Sequence, residues 1–417
     1  MSRKNGRRTP RNALSVRGMV SAAILAVAGV SLGWLSFKSA MVNTLPASSG
    51  EIARLAADDP GVVLGRTATR LVAQHGILDA QTLDAVRRAA AAAPLDARAY
   101  LILGHQQLLD NTPDRAVATL EAGQRLDPRQ RLIHLLLLDR YLRTAHYADA
   151  ATQFSVLARI LGAAQAPIAT AMAQMTMAPE TREAVRRTLN TDPVLERAVL
   201  IALAKSAIAP DAIFALASPA ARADAGNAES WGPVLVNRLV ERSQYAAARS
   251  VWQRIYGISA AQAAMPITNA GFRETRAAPP FDWTLTASSL GAADLRSGSM
   301  AVEYYGRDSG ALASQVLVLR PGRYRFAITV DPGKTDATTT LAWTLACKAA
   351  AADTRDPLMT LPVTATAKPH RIAADVVVPA NCPSQILTLR GEAGEFPSPL
   401  SVTLRDLDLR PVPDSTS

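Results

Sequence analysis

The chain has 417 residues, of which 49% are hydrophobic and 19% charged, with two cysteines and a formal net charge of +10. Seven of the basic residues (Arg3, Lys4, Arg7, Arg8, Arg11, Arg17 and Lys38) lie in the first 38 positions, where no acid occurs, so the other 379 residues carry only +3. Most of the basic excess therefore sits in one short tail, leaving no basic stripe on the body for nucleic acid, so none is expected as a partner.

Residues 1–18 read as a basic cytoplasmic tail. Residues 19–37 follow without a charge, and as a helix they would span about 28 Å, close to the hydrocarbon thickness of a bilayer. Trp34 and Phe37 suit the interfacial belt, and the preceding basic residues predict an N-inside orientation. The apolar run exceeds that of a signal peptide, and a small-x-small site before Met41 would place Lys38 at −3, so the segment is expected to remain as a signal anchor. The implied location is a bacterial inner membrane, single-pass, with the bulk of the chain periplasmic. An even cysteine count in an oxidising compartment predicts a disulfide between Cys347 and Cys382, closing a loop of about 36 residues.

From 50 to 270 the chain is rich in Ala, Leu and Arg, with apolar residues at helical spacing. Pro94 and Pro128 lie 34 residues apart. Between them Tyr100, Leu103, Gly104, Ala116, Leu120 and Gly123, with Pro128 at the end, alternate large and small residues as two tightly packed helices require. Asp110-Asn111-Thr112-Pro113 marks the turn between those helices. A second frame starts near Arg131 with Leu137, Tyr141, Ala150 and Phe154, and Leu78 to Pro94 reads as the second helix of a preceding unit. Further along, Thr191-Asp192-Pro193 reads as another repeat ending, and Tyr245 to Trp252 as another second helix. These offsets resemble the tetratricopeptide repeat family, which implies a stacked α-solenoid that holds protein segments in a groove.

The composition changes within a linker at 271–280. Beyond it, strands are expected near Ser299–Tyr305, Ala313–Leu319, Gly322–Val330, Thr340–Cys347, His370–Val378, Ile386–Arg390 and Ser401–Arg410. Pro321-Gly322 predicts a tight turn, making 313–330 a hairpin. This spacing predicts an antiparallel, jelly-roll-like β-sandwich over 281–412. The fold class is therefore α + β multidomain: N-terminal transmembrane helix, tetratricopeptide-like solenoid and C-terminal sandwich.

If the sandwich takes a glycan, the contacts would come from Tyr304, Tyr305, Glu303 and Arg307, with Trp283, Trp343 and Tyr324 as further aromatic candidates. Both tryptophans are expected to pack the core instead. Strand alternation turns one of Tyr304 and Tyr305 outward. The chain has no phosphate loop, dinucleotide fingerprint, His-Glu-x-x-His or Gly-x-Ser-x-Gly element, and neither cysteine has metal-finger spacing. No enzymatic activity, cofactor or metal is expected.

The order of features, with Phe281-Asp282-Trp283, Gln315–Arg325, Trp343–Cys347 and Val378–Gln385, resembles a family of bacterial envelope proteins that join an anchor and helical repeats to a sandwich. That resemblance implies work beside exopolysaccharide or O-antigen machinery. The leading expectation is a non-catalytic anchored adaptor that binds an envelope protein through its repeats. The alternatives are a carbohydrate-binding protein in which the repeats are a spacer, and a glycan-modifying enzyme.

Overall fold

The computed structural model describes residues 56–413, apart from 74–75, 163–164, 275–276, 334–339, 349–355, 365 and 396–397. Residues 19–37, expected to cross a membrane, lie outside the described residues. Among the described residues no helix is long and apolar enough to do so. The chain forms two compact units, divided between Gly162 and Ala163.

The described residues of the first unit form six helices: α1 Pro60–Ala73, α2 Ala80–Ala92, α3 Ala97–Leu109, α4 Pro113–Leu126, α5 Arg131–Arg143 and α6 Tyr147–Ile160. They pair in sequence order as three helical hairpins. Local chemistry sets their ends. Asp79 accepts from the Thr82 N–H and Asp96 from the Arg98 N–H as N-caps, while Pro113 opens α4, where its missing N–H costs nothing.

Small residues then allow close approach. A Cβ added to Gly104 would lie 2.6 Å from Leu120 Cγ, and one added to Gly123 would lie 2.7 Å from Tyr100 Cβ and 2.9 Å from Ile133 Cδ1. Ala116 and Leu120 are fully buried beside them. Tyr100 and Leu103 are half-buried, and the Tyr100 hydroxyl donates to the Pro94 carbonyl. Pro128 is exposed, and its carbonyl oxygen lies 2.9 Å from Nε2 of the buried His134.

The turns of α3–α4 and α5–α6 are the same turn. Asn111 (φ 56°) and Ala145 (φ 58°) are left-handed. The residue after each donates back to Gln107 and Tyr141 respectively, five positions earlier, and so satisfies an otherwise free helix carbonyl.

The second unit opens with eight helices: α7 Gln165–Met175, α8 Pro179–Leu189, α9 Pro193–Lys205, α10 Pro210–Leu216, α11 Pro219–Ala223, α12 Trp231–Glu241, α13 Tyr245–Tyr256 and α14 Ala260–Ala263. Asp192 caps α9, and the buried Glu196 accepts from the backbone and hydroxyl of Ser218 at the start of α11. The α12–α13 hairpin repeats the turn of the first unit. Ser243 is left-handed (φ 59°), and Gln244 N–H donates to Leu239.

Among the described residues eleven strands follow: β1 Thr284–Leu285, β2 Ala287–Ser288, β3 Gly291–Arg296, β4 Ser299–Tyr304, β5 Gly310–Leu317, β6 Gly322–Val330, β7 Thr340–Cys347, β8 Met359–Val363, β9 His370–Val378, β10 Gln385–Glu392 and β11 Leu400–Pro411. They make a five-stranded sheet (β1-β5-β10-β7-β8) and a six-stranded sheet (β2-β3-β4-β11-β6-β9), antiparallel throughout. Alternation along the strands places Met300, Val302 and Tyr304 of β4, Leu341, Trp343 and Leu345 of β7, and Leu400, Val402 and Leu404 of β11 in one shared core.

Two sequence expectations change here. Residues 313–330 are not a hairpin: β5 belongs to the five-stranded sheet and β6 to the six-stranded one, so Pro321-Gly322 lies on a crossover between sheets. The crossover holds because Leu319 is buried and donates its N–H to the side chain of Gln385, itself fully buried. Strands β3 and β8 had no signal in the sequence. Their Gly-Ala-Ala-Asp and Pro362 content opposes strand propensity, and sheet pairing overrides it. The expected disulfide is present, joining the end of β7 to the segment before β10 with Cα atoms 5.5 Å apart.

The last helical hairpin is built onto the sandwich. Tyr245 Oη donates to the Lys348 carbonyl, and Trp252 Nε1 donates to that of Ala278 at 2.7 Å. Arg249 donates to the carbonyls of Val318, Ala263 and Met265, and burial pushes its pKa down. Phe281 then packs on Trp252, and Trp283 on Phe272 and Trp343. Asp282 is buried between them and accepts from the Trp283 N–H. The Phe-x-Trp element therefore joins the helices to the sandwich core.

Candidate functional site

Two surfaces of the described residues have the shape to hold a ligand. The first is a groove of about 500 Å³ on the outer face of the six-stranded sheet. Register builds it. Ala292 of β3 faces Glu303 of β4, which faces Ser401 of β11, and one step along Asp294, Ala301 and Thr403 form the next outward row. The floor is therefore made of small side chains interrupted by Glu303 and Asp294.

One wall is the segment after β6. Asp331 N–H donates to the Thr403 carbonyl, and a Cβ on Gly333 would lie 2.2 Å from the Ser401 carbonyl oxygen, an approach only glycine permits. Glu303 stands exposed in the middle, while Asp294 is held by Arg296 at 3.2 Å. Such a surface can accept hydrogen bonds from hydroxyl or amine groups. No aromatic side chain lines it among the described residues, so it offers no stacking platform.

The four residues expected to contact a glycan are not brought together. Glu303 lines the groove. Tyr305, 40% exposed, and Arg307, also exposed, lie beyond the end of β4 and do not line it. Tyr304 is corrected: it is fully buried, its ring lies under Gly391, and its hydroxyl donates to the Asp308 carbonyl. Burial, with the negative charges of Glu392 and Asp308, raises its pKa. Trp283 and Trp343 are core residues, and Tyr324 is buried with its hydroxyl donated to the Arg320 carbonyl. Asp294, Ser401, Thr403 and Gly333 were not singled out in the sequence, because only the pairing register assembles them.

The second surface is a cleft of about 510 Å³ in the first unit, where the α2–α3 turn meets the end of α4. Leu95 (80% exposed) and Leu126 (38% exposed) provide its apolar part. Asp96, paired with Arg98, and Asp127 provide its polar rim. Both leucines directly precede the aspartates that stop or start helices, so the same 94–128 frame that sets the repeat also places them. Elsewhere in this unit the His105 ring packs against Gly76 with Nδ1 unpartnered, and burial lowers its pKa. Among the described residues no group of three or more His, Cys, Asp or Glu side chains is arranged to hold a metal ion.

No family model and no curated protein matches the chain. Among solved structures, it is similar to a CBM4 carbohydrate-binding module at 17% identity and TM-score 0.22, over 29% of this chain and 89% of that one. It is also similar to TmCBM61 in complex with β-1,4-galactotriose, at 13% identity and TM-score 0.25, over 36% of this chain and 99% of that one. The enzymatically active domain of tailspike protein 4 of bacteriophage CBA120 matches at 11% identity and TM-score 0.27, over 36% of this chain and 22% of that one. At these scores the likenesses assign neither ligand nor activity.

Proposed function

We propose that the protein is a non-catalytic adaptor anchored in a bacterial inner membrane by residues 19–37, with its helical hairpins binding an envelope protein. The observation that carries this reading is the shallow surface at Leu95 and Leu126, two exposed leucines rimmed by Asp96, Arg98, Asp127 and Gln130 where tightly packed hairpins succeed one another. Glycine contacts and a recurring turn support a tetratricopeptide-like arrangement, whose use in proteins is to hold a segment of a partner. The Cys347–Cys382 disulfide supports an oxidising compartment such as the periplasm. The polysaccharide setting, exopolysaccharide or O-antigen production, rests on the resemblance carried by Phe281-Asp282-Trp283 and the segments after it.

A chain lacking residues 60–160 tests the reading by in-cell crosslinking. It should lose the polysaccharide-system proteins that the full chain recovers. Recovery of the same proteins by both chains would contradict it.

The groove around Glu303 favours a second reading, in which the sandwich binds a saccharide through hydrogen bonds from hydroxyls to Glu303 and Ser401. Glu303→Ala should then weaken glycan binding while Tyr305→Ala leaves it unchanged. Absence of any glycan affinity in the full chain would remove this reading.

A further inference from the structure

Sheet edges expose unpaired backbone N–H and C=O groups, and proteins blunt them with short strands, proline or charge. Three of the four edges among the described residues rely on shortness or proline. Strands β1 and β2 have two residues each, and β8 has five with Pro362 inside it. The fourth does not. Strand β9 is nine residues long without proline, and it is paired along its whole length with β6 on one side only. Among the described residues no strand pairs with its other edge.

Strand β8 of the other sheet lies near β9, yet part of β9 is incompletely covered. Ile372 and Ala374 point toward the core, yet both are only half-buried. On the outward face Arg371, Ala373 and Asp375 are exposed. We propose that β9 pairs antiparallel with β9 of a second copy of this chain, with the two-fold axis through Ala373.

The register follows from charge. An antiparallel pair related by a two-fold axis through Ala373 sets Arg371 opposite Asp375 of the second copy, twice, with Ala373 facing itself between them. It also lays Ile372 against Ala374 and covers both half-exposed inward residues. Moving the axis to Arg371 or Asp375 sets like charges face to face, which disfavours those registers. Axes through Ile372 or Ala374 leave both charges opposite apolar residues. The ion pairs that Arg371 and Asp375 now make do not compete, since the Arg325–Asp375 contact (3.3 Å) and the Arg371–Asp408 contact (3.9 Å) are exposed and readily exchanged. The product is one continuous sheet across two copies, with the long open edge of β9 removed.

The test uses the full chain with Ala373→Cys, the native cysteines being already joined. Facing Cα atoms in such a pair lie about 4.5–5.5 Å apart, within disulfide range. Mild oxidation should give a covalent dimer on a non-reducing gel, whereas Val377→Cys, outside the paired residues 370–376, should give little. Light scattering should show a dimer that Arg371→Asp dissociates and that adding Asp375→Arg restores. A chain that stays monomeric in light scattering, or Ala373→Cys and Val377→Cys chains that crosslink equally, would overturn the proposal. Circular dichroism of each variant separates loss of pairing from loss of folding.

Discussion

Trp252 and Phe281 meet with ring centroids 5.9 Å apart and planes inclined at 63°. One belongs to the last long helix and the other opens the sandwich, so this contact decides whether the helices are a tether or a part of the same body. Both side chains are nearly fully buried, and the Trp252 indole N–H also holds the Ala278 carbonyl. Within residues 271–280, read from sequence as a linker, Phe272 packs on Trp283 and the Ala278 carbonyl is held by Trp252.

Truncating this contact should therefore damage the whole second unit. Trp252→Ala is expected to cost about 3–5 kcal/mol, the range for removing a buried aromatic. Trp252→Phe keeps the ring contact but loses the hydrogen bond, at about 1 kcal/mol. Denaturant unfolding of the full chain measures both, and equal losses would show that the ring contact is not what matters.

Gly104→Ala and Gly123→Ala force a methyl group to within 2.6–2.7 Å of Leu120 and Tyr100. Each should destabilise the first unit by about 1–3 kcal/mol through overpacking. The partner atom at Gly123 is a Cβ fixed to its helix, so that variant should be the worse of the two. Thermal unfolding checks the order.

Ala145 holds a left-handed conformation that L-residues adopt only at a cost of about 1–2 kcal/mol. Ala145→Gly should therefore raise stability, by about 0.5–1 kcal/mol after the added chain entropy of glycine is subtracted. Asn111→Gly at the equivalent position should gain less, because asparagine tolerates this conformation. A stability loss in Ala145→Gly would show that the shared turn is not held as described.

His105 gives the first unit an acid sensitivity. Burial lowers its folded pKa below the unfolded value, so the neutral ring's contribution is complete above that unfolded value and is lost as pH falls through the folded one. Stability should decline on acidification below about pH 6.5, where the unfolded chain takes up the proton first. Comparing unfolding midpoints of the wild type and His105→Asn at neutral and mildly acidic pH checks this, and the variant should show the smaller decline.

Much of this architecture could be read from the chain. Gly104, Ala116 and Gly123 define the helix crossing because small residues at those offsets have one geometric use, which is to admit Leu120 and Tyr100. Strands β6 and β9 are legible through their β-branched and aromatic residues, and β7 through the alternation of Leu341, Trp343 and Leu345. What escaped depends on distant partners. Whether β5 turns back on β6 or crosses to the other sheet is decided by Gln385, sixty-six residues from Leu319. The groove around Glu303 escaped for the same reason, since Ala292 and Ser401 meet it only through pairing register. Tyr304 and Tyr305 show the limit within two residues: alternation requires them to differ, but not which one is buried.

The central claim is that the helical hairpins, and not the sandwich face, recruit the partner. Leu95→Glu with Leu126→Glu places two charges in the cleft at exposed positions, so the fold should be unaffected. In-cell crosslinking and recovery of the full chain should then lose the proposed protein partner, while Glu303→Ala retains it. Retention by the double leucine variant and loss in Glu303→Ala would contradict the account and assign recruitment to the sandwich.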